Sequence, residues 1–155
     1  MSSWQKNNKD AMPDIKITDL IPHRPPMVMI DRYQKISQTA GTSVKQFSRE
    51  DYGCEGGQVM PVVLIECVAQ TVAAQHGYDR LTGQGGGPAM GMLVSVDHVE
   101  FFAPVPGDAR VTINVEKTDE IGPFHLIQGE IICGDSLMAK GKIKIFNQEK
   151  TGEAG

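Results

Sequence analysis

The sequence predicts an α+β fold of two layers, with one long buried helix against an antiparallel sheet that curls round it. Three observations carry this. The stretch "PVVLIECVAQTVAA" (Pro61–Ala74) is apolar nearly all the way round, which fits a helix covered on most sides and not a surface helix with one oily stripe. Past Pro88 the apolar residues switch to period two over four separate runs, the mark of half-buried strands. Turn signals at "APVPGD" and "CGDS" join those runs, and this spacing favours strands that pair as an antiparallel meander.

The elements follow in chain order. Residues 1–13 and 148–155 are polar or Gly-rich and are expected to fray, leaving the core of a single domain at about 14–147. A short helical turn is expected in "ITDLIPHRPP", capped by Thr18 and stopped by its prolines. "MVMIDRYQKI" and "GTSVKQFS" read as strands, and "REDYGCEGGQV" as irregular. Pro61 suits the first helical position, where its missing N–H costs nothing. Good helix formers continue to about Leu81, Gly83 is the expected stop, and "GQGGGP" is a loop. Strands follow at "AMGMLVSVDHVEFF", "ARVTINVEK", "FHLIQGEIIC" and "LMAKGKIKIF". The last places Lys140, Lys142 and Lys144 on one face and Ala139, Gly141, Ile143 and Ile145 on the other.

Composition excludes several classes of function. A chain of 155 residues is long enough to bury a real core. A net charge of -4 disfavours bulk binding to nucleic acid or to an anionic membrane. No stretch reaches the ~18 apolar residues of a membrane span. Cys54, Cys67 and Cys133 are odd in number and form no CxxC pair, so neither a disulfide framework nor a structural zinc site is expected, and a reducing compartment fits. The start "MSSWQKNNKDAMPD" lacks the apolar core of a signal peptide, which points to the cytoplasm. The four histidines are scattered, and "GQGGGP" follows a helix instead of opening one. No metal and no cofactor are therefore expected.

Glu66 is the anomaly, a carboxylate in the middle of the oily helix. Either a side-chain partner satisfies it, or it works. An unpaired buried charge costs several kcal/mol, and burial raises a carboxyl's pKa towards the range useful to a general acid. Gln70 lies one turn on, on the same face, placed to bond Glu66 and fix its rotamer or to bond backbone in the core.

Three segments then coincide in order: "LIPHRPPMVMIDR" (Leu20–Arg32), "MPVVLIECVAQ" (Met60–Gln70) and "VEFFAPVPGD" (Val99–Asp108). Together they resemble the 3-hydroxyacyl-[acyl-carrier-protein] dehydratases of fatty-acid synthesis. They resemble still more a branch found with aryl-polyene pigment synthesis, which shares the Pro-His-Arg-Pro-Pro segment and the Ile-Glu-x-x-Ala-Gln helix. The likeness spans roughly Ile17 to Phe146. It implies the hotdog fold, a central helix wrapped by an antiparallel sheet, and a dimer. It also implies an acyl-pantetheine tunnel between protomers, and loss of water from a (3R)-hydroxyacyl thioester to give the trans-2-enoyl product. Glu66 aligns with the family's acid.

The chain departs from the pattern twice. The family's base is a histidine before the helix; counting back fourteen residues from Glu66 gives Tyr52 instead. A glycine whose N–H meets the thioester carbonyl is replaced by Pro61, so Val62 N–H, or an amide of Gly56 or Gly57, has to serve. His23 either caps the N-terminal turn or supplies the missing base. Tyr52, with an ordinary pKa near ~10, is a poor base but can donate to substrate. Cys54 has no adjacent base and reads as a plain thiol. His98 and His125 read as surface or packing residues, while His76 near the helix end suits a cation.

The expected function is a dehydratase for (3R)-3-hydroxyacyl thioesters on an acyl carrier protein. Catalysis falls to Glu66 and His23, and substrate contacts to Gln70, Tyr52, Gly57 and Val62. A hotdog thioesterase also uses a helix carboxylate. A non-catalytic subunit that binds acyl carrier protein or partners an active dehydratase accounts for both departures. The chain is expected to pair with itself or with another hotdog protein. The lysine face either meets an acidic carrier, lies in solvent or protects a sheet edge.

Overall fold

A 3₁₀ turn at Ile17–Asp19 opens the described chain, which covers residues 14–84 and 89–149 of a computed structural model. The terminal segments, and residues 85–88 of the Gly-rich loop, lie outside it. The turn's cap position is Lys16 and no side chain caps it, so Thr18 sits inside the turn and not at its start. Two strands follow, β1 (Arg32–Lys35) and β2 (Ala40–Gln46), then a small ribbon of β3 (Cys54–Glu55) and β4 (Gln58–Val59). The helix α1 (Pro61–Leu81) comes next, then β5 (Ala89–Phe101), β6 (Arg110–Ile121), β7 (Phe124–Cys133) and β8 (Ser136–Glu149).

Six strands form one antiparallel sheet in the order β1-β2-β6-β7-β8-β5. The expected meander holds for β6, β7 and β8. It fails for β5, which pairs with β8 at the edge opposite β1. A 21-residue helix advances about 30 Å, so the chain leaves one side of the sheet and re-enters at the other. The strand expected over residues 27–36 shrinks to Arg32–Lys35. The reason is a tertiary contact: the backbone of Met27 and Met29 bonds to the Gln70 side chain instead of to a neighbouring strand.

Alternation along the strands aims Val111, Ile113 and Val115 of β6, Ile127 and Ile131 of β7, and Ile143 and Ile145 of β8 into the core. There they meet Val63, Leu64, Cys67, Val68 and Val72 of α1. Each such side chain contributes roughly 2 kcal/mol by leaving water. At Gly77 the helix touches the 3₁₀ turn so closely that a Cβ would collide with the Leu20 carbonyl. Gly83, at φ +72°, ends the helix as expected. Gln84 N–H donates to Asp79 O at 2.8 Å and Gly83 N–H to Arg80 O at 3.3 Å, the paired bonds of a Schellman stop.

The ribbon interrupts the segment expected to be irregular. Its turn is made by Gly56 and Gly57 at φ +62° and +76°. It is tied to the Pro-Gly-Asp turn, where Gly107 N–H donates to Gly57 O at 2.9 Å and Val59 N–H to Val105 O at 2.9 Å. The entry to α1 is thereby fixed by a turn more than forty residues further on.

The lysine face lies inside the sheet, because β8 runs between β7 and β5. It therefore protects no edge. Lys140 stands opposite Glu130 and Glu100, and Lys142 opposite Asp97 and Gln128, so acidic neighbours offset most of its charge. No helix among the described residues is long and apolar enough to cross a membrane.

Candidate active site

Glu66 leaves α1 on the side where the Pro-His-Arg-Pro-Pro segment crosses it. Gln70, one turn later and fully buried, holds three groups at once. Its Nε2 donates to Glu66 Oε1 at 2.9 Å and to Met27 O at 2.7 Å, and its Oε1 accepts from Met29 N–H at 2.7 Å. Cys67 adds a further tie, Sγ to Met29 O at 3.2 Å. These bonds replace a strand ladder and pin residues 27–29 along the helix.

This pinning brings His23 to the carboxylate. His23 Nε2 lies 3.5 Å from Glu66 Oε1. The imidazole does not cap the turn; Arg24 Nη1 takes the Ile21 carbonyl at 3.0 Å. Both contacts to Glu66 fall on Oε1, and Oε2 has no partner among the described residues. The burial expected of Glu66 is not completed within the chain: the Glu66 side chain is 35 % exposed and that of His23 30 %. Exposure continues along one helix face, through half-buried Ile65, Ala69 and Ala73 to Val62 at 63 %.

The other sequence candidates are distributed unevenly. Val62 follows Pro61 at the helix start, and its N–H has no bond within the described chain. Gly57 helps make the ribbon turn, its carbonyl accepting from Gly107. Tyr52 is 61 % exposed and its hydroxyl bonds nothing in the described chain. The Cys54 thiol is pushed up from its usual value, first by burial and then by Asp51, which agrees with a plain thiol.

Three readings need correction or refinement. His76 is not a helix-end cation, because burial, and then the neighbouring His125, lower its pKa. The two rings meet edge to face at 5.9 Å between centroids. His125 is a buried packing residue that also reaches Glu120 at 3.3 Å. His98 sits exposed on β5 with φ +49°, at an irregularity in the pairing with β8. Among the described residues no group of three His, Cys, Asp or Glu side chains is placed to hold a metal ion. The role of the Met27–Met29 backbone had no signal in the sequence, since main-chain partners carry no residue pattern.

A long helix against a curved antiparallel sheet, with an acid on the helix at the Pro-His-Arg-Pro-Pro crossing, defines a hotdog protein of the 3-hydroxyacyl-[acyl-carrier-protein] dehydratase superfamily. The chain belongs to the ApeP-like family, described as ApeP dehydratase, whose family model matches residues 15–154. It is 33 % identical over 148 residues to the 3-hydroxyacyl-[acyl-carrier-protein] dehydratase FabZ of Natranaerobius thermophilus, covering 90 % of this chain and 100 % of that one. It is 30 % identical to the FabZ of Rhizobium rhizogenes, covering 92 % of each. Among solved structures it resembles a chain of the dehydratase heterocomplex ApeI:P from Xenorhabdus doucetiae. That match has a TM-score of 0.78 and 20 % identity, over 90 % of this chain and 95 % of that one.

Proposed function

We propose that this chain dehydrates (3R)-3-hydroxyacyl thioesters carried by an acyl carrier protein, giving the trans-2-enoyl thioester and water. One observation carries the reading: His23 Nε2 and Glu66 Oε1 are 3.5 Å apart on an uncovered apolar helix face. The family membership and the printed names of the FabZ relatives support it.

The chemistry needs an acid and a base near one another. His23 takes the α-proton of the substrate. The C–O bond to the 3-hydroxyl breaks, and a protonated Glu66 hands its proton to the departing oxygen through Oε2, so that water leaves. The His23–Glu66 contact then returns the proton from imidazolium to carboxylate and resets the pair. Gln70 holds Oε1 and keeps Oε2 aimed at substrate. Val62 N–H, at the positive end of α1, polarises the thioester carbonyl. Tyr52 and Gly57 lie on the segment before the helix and serve as substrate contacts at the mouth. The reaction runs in a reducing cytoplasm, where all three thiols stay free.

Glu66→Gln keeps shape and loses the transferable proton. It abolishes turnover while leaving Tm unchanged; full activity in that variant rules the assignment out. Release of free thiol from a saturated acyl thioester would mark a thioesterase instead.

The exposed helix face favours a second chain over it. β5 is an unpaired edge with Met92, Val94, Val96 and Phe101 exposed, and such an edge is a template for pairing. We infer a dimer, homodimeric or with another hotdog protein, as the heterocomplex named for the similar structure suggests. If the purified chain is inactive alone and turnover appears only with a second hotdog chain, the heteromeric form is the working one.

A further inference from the structure

The segment that delivers His23 is built almost without main-chain hydrogen bonds of its own. Residues 21–29 include Pro22, Pro25 and Pro26, which offer no N–H, and they precede β1, outside any strand ladder. The main-chain bond that closes within the segment is Met27 N–H to Arg24 O at 2.9 Å. The carbonyls of Ile21 and His23 are taken by a side chain instead. Arg24 Nη1 donates to Ile21 O at 3.0 Å and to His23 O at 2.7 Å. That nitrogen carries two hydrogens in a fixed plane, one for each carbonyl. A rigid group bridging carbonyls two residues apart sets the path of the backbone through Pro22 and His23.

The imidazole has little else to hold it. A working histidine is ordinarily oriented by a hydrogen bond at its second ring nitrogen. His23 Nδ1 is buried and has no partner among the described residues. The contact at the other nitrogen, 3.5 Å to Glu66 Oε1, is longer than a well-made hydrogen bond. The direction of the ring is therefore inherited from the backbone that carries it. Gln70 fastens one end of that stretch, at Met27 and Met29, and Arg24 clasps the end where His23 stands.

We infer that Arg24 is a positioning residue: its guanidinium, folded back on its own backbone, aims His23 Nε2 at Glu66. It acts through His23 and not on substrate. The inference rests on the dehydratase reading only for what the aimed ring does, and not for how it is aimed. The other role open to an exposed arginine beside the site is to meet an anionic carrier. That role needs charge alone, whereas the clasp needs a planar group with two donors, so substitution separates them.

The test uses Arg24→Met, which keeps the stem and removes the donors, and Arg24→Lys, which keeps the charge as a point on a flexible stem. Each full-chain variant is assayed on a 3-hydroxyacyl group carried by an acyl carrier protein and on the same group carried by free pantetheine. A second hotdog chain is present if the unaltered protein needs one. Both variants lower kcat about tenfold or more on both substrates, since a small misplacement of a catalytic group is that costly. KM stays within about twofold, and Tm is unchanged because the side chain is exposed. Full turnover in Arg24→Lys, or a rise in KM confined to the carrier-bound substrate, overturns the inference and makes Arg24 a docking residue. A second measurement does not depend on turnover. The nuclear Overhauser contact between the His23 ring and the Glu66 side chain is present in the unaltered protein and lost in Arg24→Met. Its absence from the unaltered protein, or its survival in Arg24→Met, also overturns the inference. If the unaltered chain dehydrates nothing, alone or with a partner, the proposed reaction fails and this contact alone decides whether Arg24 aims the ring.

Discussion

Gln70 Nε2 and Glu66 Oε1 are 2.9 Å apart, and the same amide group reaches the backbone of Met27 and Met29. One side chain thus holds the acid in place and fastens the segment that delivers His23. Replacing it by leucine, similar in bulk, strands a buried N–H and a carbonyl. Gln70→Leu is expected to cost about 3 kcal/mol, read as a lower urea midpoint. It also lowers kcat more than it raises KM, because the carboxylate loses its fixed rotamer while the exposed helix face is untouched. An unchanged midpoint would show that residues 27–29 are held by something else.

Gly77 marks where α1 crosses the 3₁₀ turn. Alanine improves helix propensity by about 1 kcal/mol, but its methyl would land on the Leu20 carbonyl. Backbone cannot yield as a flexible side chain does, so the clash outweighs the gain. Gly77→Ala is expected to lose about 2 kcal/mol, or about 6 °C in Tm for a chain of 155 residues. A rise in Tm would mean that the turn packs further from the helix.

His76 makes stability depend on pH. Burial, then His125, holds its folded pKa below the ordinary 6.5, with Asp79 opposing and Lys117 and Arg80 adding. The unfolded chain therefore binds a proton first as pH falls. The contribution is complete above pH 6.5 and is lost progressively below it, until the folded pKa is passed. Urea midpoints measured from pH 8 down to pH 5 should fall over that lower range, and His76→Phe should flatten the fall. A midpoint that rises on acidification contradicts the assignment.

The three thiols differ in access. Burial pushes Cys67 up to about 12, and its Sγ is bonded to Met29 O. Cys54 and Cys133 are partly exposed. Reaction with a chromogenic disulfide at pH 8 should release at most two equivalents from the folded protein. The third should appear only in denaturant. Fast labelling of Cys67 in the native state would show that residues 27–29 lift off the helix.

Much of this protein was legible in the residues themselves. Pro61 and Gly83 bracket the helix because one lacks an N–H and the other tolerates a positive φ. Val111, Ile113 and Val115 alternate inward because side chains along a strand do. Glu66 stood out because a charge in an oily helix needs a reason. These are local rules, and they act through neighbours in sequence. What only the tertiary structure decided depends on contacts between distant segments. β5 pairs with β8 and not with β6; Gln70 replaces a strand ladder for Met27 and Met29; Gly129 and Gly141 meet in register where Val68 and Val99 press against them. His23 reaches Glu66 for the same reason, although forty-two residues lie between them in the chain. Propensity and periodicity carry no information about which distant backbone a side chain will meet, because that is set by how the helix and sheet pack as whole bodies.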